Sequence, residues 1–436
     1  MDRLIESAKL HSDAFEIYKL DESRNTIEFE DGKLKDIEST IHAGVALRII
    51  KDRRAGFAYT KNVSNNEALV LNAVDTIKGG VEAPYDFPHT KSVPTLNTYD
   101  AAIEDVTNTT IVDECRRINA LMTSKVNGQI NIDAGTSISG IKIRNSSGAN
   151  LSTRTSYYAI TISILYPESA TGIERSLEFK KFEEVDDSFL NNLIDLYNRS
   201  EREINTAGGR MKILFMPEAM YTLIWRLQNA VSGESLYHGQ SPLAGKLNTD
   251  IFSKQLSIID NPIDDSRPGA RAFDDEGVPC KELVIVDKGT LTNYYYDLFY
   301  AAKMKAKPNG RGFKTLRWND DRISVKPVPT LTSLSIEPGA TGFEQLIGSM
   351  QRGIIVCGAL GAHSGNIPNG DFSIGLSPGL YVEGGQIVGR IKDAMIAGNI
   401  YSIMNRVIDI EDSLHPAYTG YYPAVLFDDI NVATKS

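Results

Sequence analysis

Apolar and polar positions alternate with a period of two along much of the N-terminal half, the spacing of half-buried strands. Residues 14–20 alternate, and Asn25-Thr26-Ile27-Glu28-Phe29-Glu30 does so more clearly. Asp31-Gly32 is hairpin-turn chemistry and the alternation resumes over 34–37, so a hairpin is predicted. Residues 44–50 read as a third strand, which 52–56 turns into 57–60. The spacing then becomes helical over 65–78, with Leu69, Leu71, Val74 and Ile77. Residues 79–100 carry Pro84, Pro88 and Pro94 and read as an extended connector.

A second unit opens with a helix over 110–123, where Ile111, Cys115, Ile118 and Leu121 share a face. Strands follow over 130–134, 136–144 and 159–166, and Asn145-Ser146-Ser147-Gly148 supplies a turn, so an antiparallel meander is predicted. A polar helix over 186–203 ends this unit at Gly208-Gly209. A strand over 212–216 then meets Pro217, a natural first helical residue. The helix it starts shows Met220, Leu223, Ile224, Leu227 and Val231 on one face. Glycine-punctuated strands continue to the C-terminus, with a helix predicted near 395–405. The fold class is α+β: an N-terminal α/β unit, then a large strand-rich C-terminal unit with a mixed or barrel-like sheet. The units are expected at 1–100, 101–208 and 209–436.

Composition narrows the function classes. With 436 residues, 42% apolar and 23% charged, the chain has ordinary globular usage. Its net charge of −10 argues against binding a nucleic-acid backbone. The start, Met1-Asp2-Arg3-Leu4-Ile5-Glu6, has acids where a signal peptide needs an apolar run. No stretch approaches the roughly 18 apolar residues of a membrane span. Cys115, Cys280 and Cys357 are scattered and form no C-x-x-C pair, which suits free thiols in a reducing cytoplasm. The six histidines never fall two to a helical turn.

Candidate chemistry is sparse. Gly32-Lys33-Leu34 and Gly245-Lys246-Leu247 lack the spacing of a phosphate-binding loop. Gly375-Leu376-Ser377-Pro378-Gly379 has the G-x-S-x-G form of a hydrolase elbow. That elbow needs an N–H from the residue after serine, and Pro378 has none, so a strand turn is expected. Asp260, Asp264, Asp265, Asp274, Asp275 and Glu276 could hold a hard cation but lack a fixed loop spacing, so solvated acidic loops are expected. Cys357 could be a nucleophile with His363, but its apolar surroundings favour a small buried hydrophobe. His238 has no second ligand at metal-site spacing.

Several segments together resemble the TldD/PmbA family, a metalloprotease-related group formerly described as modulators of DNA gyrase. They are Phe29-Glu30-Asp31-Gly32-Lys33-Leu34, residues 44–50, Phe273-Asp274-Asp275-Glu276-Gly277-Val278, Gly289-Thr290-Leu291, Gly370-Asp371-Phe372-Ser373-Ile374-Gly375, Tyr381-Val382-Glu383-Gly384-Gly385 and Ala397-Gly398-Asn399. The Gly-Asp-Phe-Ser form is similar to the PmbA branch, also called TldE. The resemblance implies a metalloprotease-like C-terminal unit.

The TldD branch carries H-E-x-x-x-H, two imidazoles for zinc and a carboxylate for the metal-bound water, with a later cysteine ligand. Here Gln228 stands at the first histidine, Asn229 at the glutamate and Gly233 at the second histidine. The cysteine position falls within 417–420, where there is none. The resemblance thus implies a zinc-free subunit with no catalytic residue of its own and zinc only in a TldD-like partner. Such a pair acts on extended or unfolded peptides; without the partner a homodimer is expected. If a vestigial cavity remains, Gln228, Asn229, Glu234 and His238 would line it, while amphipathic spacing alone also explains Gln228 and Asn229 as the polar side of a core helix. Two other readings stay open: a stand-alone metallopeptidase using ligands such as His238, and a gyrase-related regulatory binding protein.

Overall fold

The long alternating segments assemble into one sheet. In the computed structural model, which describes residues 1–62, 66–315, 321–418 and 420–434, helix α1 (Asp2–His11) precedes β1 (Ala14–Glu30), β2 (Lys33–Lys51) and β3 (Arg54–Thr60). Helix α2 (Asn66–Ile77), the short β4 (Val81–Glu82) and helix α3 (Asn108–Thr123) follow. Then come β5 (Gln129–Asn145), β6 (Asn150–Leu165), β7 (Gly172–Phe179) and helix α4 (Asp187–Ser200). The seven strands run in the order β4-β3-β2-β1-β5-β6-β7, each antiparallel to its neighbour. Residues 1–100 and 101–208 meet in this sheet through β1 and β5, paired from Glu16–Asn145 to Glu30–Asn131.

Pairing extends the strands beyond their alternation. The segments expected at 14–20 and 25–30 are one strand, as are 130–134 and 136–144. The polar run Asp21-Glu22-Ser23-Arg24 stays extended because β2 and β5 flank it and satisfy its backbone on both sides. A Cβ at Gly135 would lie 2.5 Å from the Asn25 carbonyl oxygen, so this glycine marks a close strand approach, not a break. At the β1–β2 turn, Asp31 and Gly32 take φ of 50° and 70°, the left-handed pair a two-residue hairpin needs. Helix α1, which the alternation did not reveal, inserts Leu4 and Ala8 into a core with Ile17, Leu47, Leu69 and Val70. The helix expected over 65–78 is found from Asn66 onward; Asn65 lies outside the described residues.

β8 (Glu203–Ile204) and β9 (Gly209–Phe215) belong to a ten-stranded mixed sheet that curls into a half-barrel. β9 lies between Val425–Thr434, antiparallel, and Arg352–Val356, parallel. The runs Ile213-Leu214-Phe215-Met216 and Ile354-Ile355-Val356 are apolar throughout because both faces are covered. Ile213, Phe215, Ile354 and Val356 join one core, while Leu214, Met216 and Ile355 join the core beneath α3 and α4. Helix α5 (Pro217–Val231) shares the first core with a smaller six-stranded sheet that includes Ile258–Asp260, Leu334–Ile336 and Gly420–Tyr422. The helix predicted near 395–405 is mostly strand. Ala394–Asn399 pairs on both edges, and only Ile400–Ile403 winds into a turn, capped by the Asn399 side chain. Among the described residues no helix is long and apolar enough to cross a membrane.

Candidate functional site

The helical period of α5 sends Leu223, Leu227, Ala230 and Val231 into the core and leaves Trp225, Gln228 and Asn229 half-buried on another face. Ser232 is extended (φ −72°, ψ 136°) and caps helix α6 (Gly233–Tyr237), its hydroxyl accepting from the Glu234 N–H at 3.3 Å. The Tyr295 hydroxyl donates to the Gln228 carbonyl at 3.0 Å, and the Ser235 hydroxyl to Asn229 Oδ1 at 3.4 Å. The ends of α5 and α6 are thereby fixed along one wall of a cavity of about 810 Å³. Tyr157 and Glu178 of the first sheet face them, and residues 329–333, Ala417, Tyr418, Gly420 and Tyr421 also line the walls.

Of the zinc-motif positions and the residues expected beside them, Gln228, Asn229 and Glu234 line this cavity, and Gly233 and His238 do not. The Gly233 N–H donates to the Tyr295 carbonyl at 2.8 Å, and a Cβ at 233 would lie 2.4 Å from Cδ1 of Tyr296. His238 is exposed at the end of α6, its ring against Tyr237 and Tyr300 with centroids 5.1 and 6.1 Å away. Ala417, Tyr418 and Gly420 lie on the cavity wall; Thr419 is outside the described residues. Two amides and a glycine hemmed in by a tyrosine ring do not make a two-imidazole, one-carboxylate zinc set. Among the described residues no group of three or more His, Cys, Asp and Glu side chains is placed to hold a metal ion.

The cavity offers hydrogen-bonding groups and negative charge. Among the described residues its wall carries Glu178, Glu234 and Asp264 and no lysine, arginine or histidine. Glu178 accepts from the Tyr421 hydroxyl at 2.8 Å and also binds the Tyr157 hydroxyl. Burial, reinforced by this carboxylate, holds both phenols well above the ordinary tyrosine range. Asp264 pairs with Arg267 at 2.9 Å, and the Arg267 guanidinium lies 4.3 Å over the Tyr421 ring.

A second cavity, of about 590 Å³, adjoins the first, and Tyr157, Gly269, Thr315 and Thr332 line both. Behind its wall the acidic cluster departs from expectation. Asp260, Asp274, Asp275 and Glu276 are not solvated loops; each is 1% exposed or less. Buried charge is stable only when paired. Asp260 meets Arg311, Asp275 meets Arg271 and Glu276 meets Arg48, each at 2.6 Å. Asp274 instead accepts backbone N–H bonds from Glu276, Val278 and Gly312 at 3.0, 2.9 and 2.9 Å. Burial, with the Glu276 charge second, pushes the Asp274 carboxyl well up and that of Asp297 up to about 8. Neither cavity's facing wall had a sequence motif: Tyr157, Glu178 and Arg271 were missed because each is ordinary in its own segment.

The remaining sequence candidates are structural. Ser377 sits in the turn between Asp371–Leu376 and Gly379–Glu383, as a strand turn should. Cys357 packs against the core beneath α3 and α4, burial pushes its thiol up to about 12, and no hydrogen bond joins it to His363 among the described residues.

Comparison with known proteins agrees with this architecture. The model of the PmbA/TldA metallopeptidase C-terminal domain matches residues 208–434, and that of the PmbA/TldA metallopeptidase domain 1 matches residues 15–80. An uncharacterized protein of Methanocaldococcus jannaschii is 26% identical over 395 residues, 88% of each chain. A metalloprotease of the same organism is 24% identical over 412 residues, 88% of this chain and 86% of that one. The crystal structure of TldE from Thermococcus kodakarensis superposes with a TM-score of 0.91 at 21% identity, covering 99% of both chains. The two matched domains span more than half of the sequence, and the chain belongs to the PmbA/TldD metallopeptidase family.

Proposed function

We propose that this chain is the zinc-free, TldE-like subunit of a two-chain peptidase, supplying scaffold and a peptide-accepting cavity to a TldD-like partner that carries the metal. The observation that supports this is the cavity beside the end of α5. It is bordered where the zinc motif would stand, yet Gln228 and Asn229 present amides and Gly233 is closed off by Tyr296. Neither amide can act as a base at ordinary pH, and an amide is a poor zinc ligand beside imidazole. What these groups do well is hydrogen-bond to a peptide main chain, together with Ser235, Thr330 and Ser333 on the same walls. The substrate class is an extended or unfolded peptide. In the absence of its partner the chain forms a homodimer.

The test is to purify the chain alone and together with a TldD-like chain bearing an intact H-E-x-x-x-H, then assay cleavage of an unstructured peptide with and without chelator. Chelator-sensitive cleavage only by the pair is the expected result. Such cleavage by this chain alone, above a mock preparation, would overturn the reading and favour a stand-alone metallopeptidase.

A further inference from the structure

The two adjoining cavities carry opposite charge character. Among the described residues the first has three carboxylates on its wall, one of them paired with Arg267, and no lining cation. The second has Arg24, Arg271, Lys314 and Arg322, with Glu22, Asp133 and Asp275. Two of those three acids are already engaged: Glu22 with Arg24 at 3.1 Å, and Asp275 with Arg271 at 2.6 Å and the Lys314 backbone N–H at 2.8 Å. Asp275 is also 3.8 Å from Arg322, so one carboxylate is shared among several cations.

Arg271 is held in place more firmly than its hydrogen bonds require. Its guanidinium carbon lies 5.8 Å from the Phe273 ring centre and 5.4 Å from that of Phe313, so two rings pack against the group. The residue is 8% exposed, and among the described residues its buried Nε has no acceptor. Ser139, 6% exposed on the same cavity wall, likewise has a buried hydroxyl with no partner among the described residues. A buried donor left unpaired is costly, more so when it is charged. Two such donors on the wall of one cavity, one of them on a pre-oriented guanidinium, match the needs of a carboxylate. Lys314 nearby is held down to about 7, by burial first and then by the Arg48 charge, so the guanidinium of Arg271 and not this ammonium is the fixed cation facing the site.

We propose that the second cavity is a carboxylate subsite, so that a peptide lies along the joined trough with its carboxylate end at Arg271 and Ser139 and its amino end toward Glu178 and Glu234. This rests on the reading of the first cavity as a peptide site and adds a direction to it. The carboxylate can be the chain terminus or an acidic side chain, and the test separates them.

Isothermal titration of the full chain would use one neutral hexapeptide as its free acid, the same peptide as its C-terminal amide, and an amide ending in glutamate. The free acid should bind at least about ten-fold tighter than the neutral amide, the worth of a charge-assisted hydrogen bond. Arg271→Lys, which keeps the charge facing Asp275 but removes the guanidinium edge, should abolish that preference. Should that variant fail to fold, Ser139→Ala should reduce the same preference in a folded chain. Tight binding of the glutamate amide would assign the site to side-chain carboxylates and still support it. Equal binding of all three peptides would overturn the subsite and leave the first cavity's role standing. No binding of any would overturn both.

Discussion

The ring of Tyr296 occupies the space that a side chain at Gly233 would need: a Cβ there would lie 2.4 Å from Cδ1 and 3.0 Å from Cε1. The Tyr295 carbonyl oxygen is 3.1 Å from the same point, so the backbone closes the other side. Gly233→Ala should therefore destabilise the chain by about 1–3 kcal/mol, as overpacking does. Tyr296→Ala should recover part of that loss in the double variant. Urea denaturation of the four-membered cycle measures the coupling, and strictly additive effects would show that the two residues do not compete for space. It follows that restoring Gln228→His, Asn229→Glu and Gly233→His should yield no zinc-binding protein unless Tyr296 is also reduced.

Asp260 and Arg311 are both fully buried, 2.6 Å apart. The Arg311 guanidinium also donates to the carbonyls of Asp260 and Lys281, at 2.9 and 2.8 Å, tying Ile258–Asp260 to the segment before Leu283–Asp287. Asp260→Ala leaves the arginine buried without its counter-charge and should cost about 3–5 kcal/mol. Replacing both residues by apolar ones should cost distinctly less than the single change. Equal losses in single and double variants, read by chemical denaturation, would count against the pair acting as a unit.

Lys314 should make stability depend on pH. Burial, followed by the Arg48 charge, lowers its ammonium from 10.5 to about 7. Between those values the unfolded chain binds more protons than the folded one, so this group adds stability as pH rises through the window. Below about 7 both states are charged and the burial cost is felt in full; near 10.5 both are neutral and it has gone. The stability of the native chain minus that of Lys314→Met should climb between pH 7 and 10, by a few kcal/mol on the order of the shift. A flat difference would mean that Lys314 stays charged in the fold.

How far the site could be read from the sequence follows from where its partners lie. Gln228, Asn229 and Gly233 could be singled out because the resemblance sets them at fixed positions of one local motif, and of the three Gln228 and Asn229 line the cavity. The burial of Asp274, Asp275 and Glu276 was not, since acids in a turn read as solvated until a counter-charge is known. Glu276 is neutralised by Arg48, 228 positions away on the first sheet. The same holds for the walls: Tyr157 and Glu178 face α5 only because β6 and β7 join a sheet whose order no local pattern encodes. His238 shows the converse, a residue of chemically suggestive type that the short α6 turns away from the cavity. Strand existence was readable from the alternation, but strand length was set by pairing, as the polar run Asp21-Glu22-Ser23-Arg24 shows.

Thr332 is exposed and, with Tyr157, Gly269 and Thr315, lines both cavities, so it is a place to test whether they act as one trough. A tryptophan there adds a rigid ring at the junction while keeping the backbone N–H that Thr332 gives to the Asp260 carboxylate, and stability should stay within about 0.5 kcal/mol of the native value. A hexapeptide that spans the junction should lose about ten-fold or more in affinity, because the new ring opposes it sterically. A dipeptide, short enough to sit within one cavity, should bind Thr332→Trp much as it binds the native chain. Isothermal titration of both peptides against both proteins gives the comparison. If the hexapeptide is unaffected while the variant remains folded, the peptide does not cross from the acidic to the basic cavity, and the two would have to serve separate ligands.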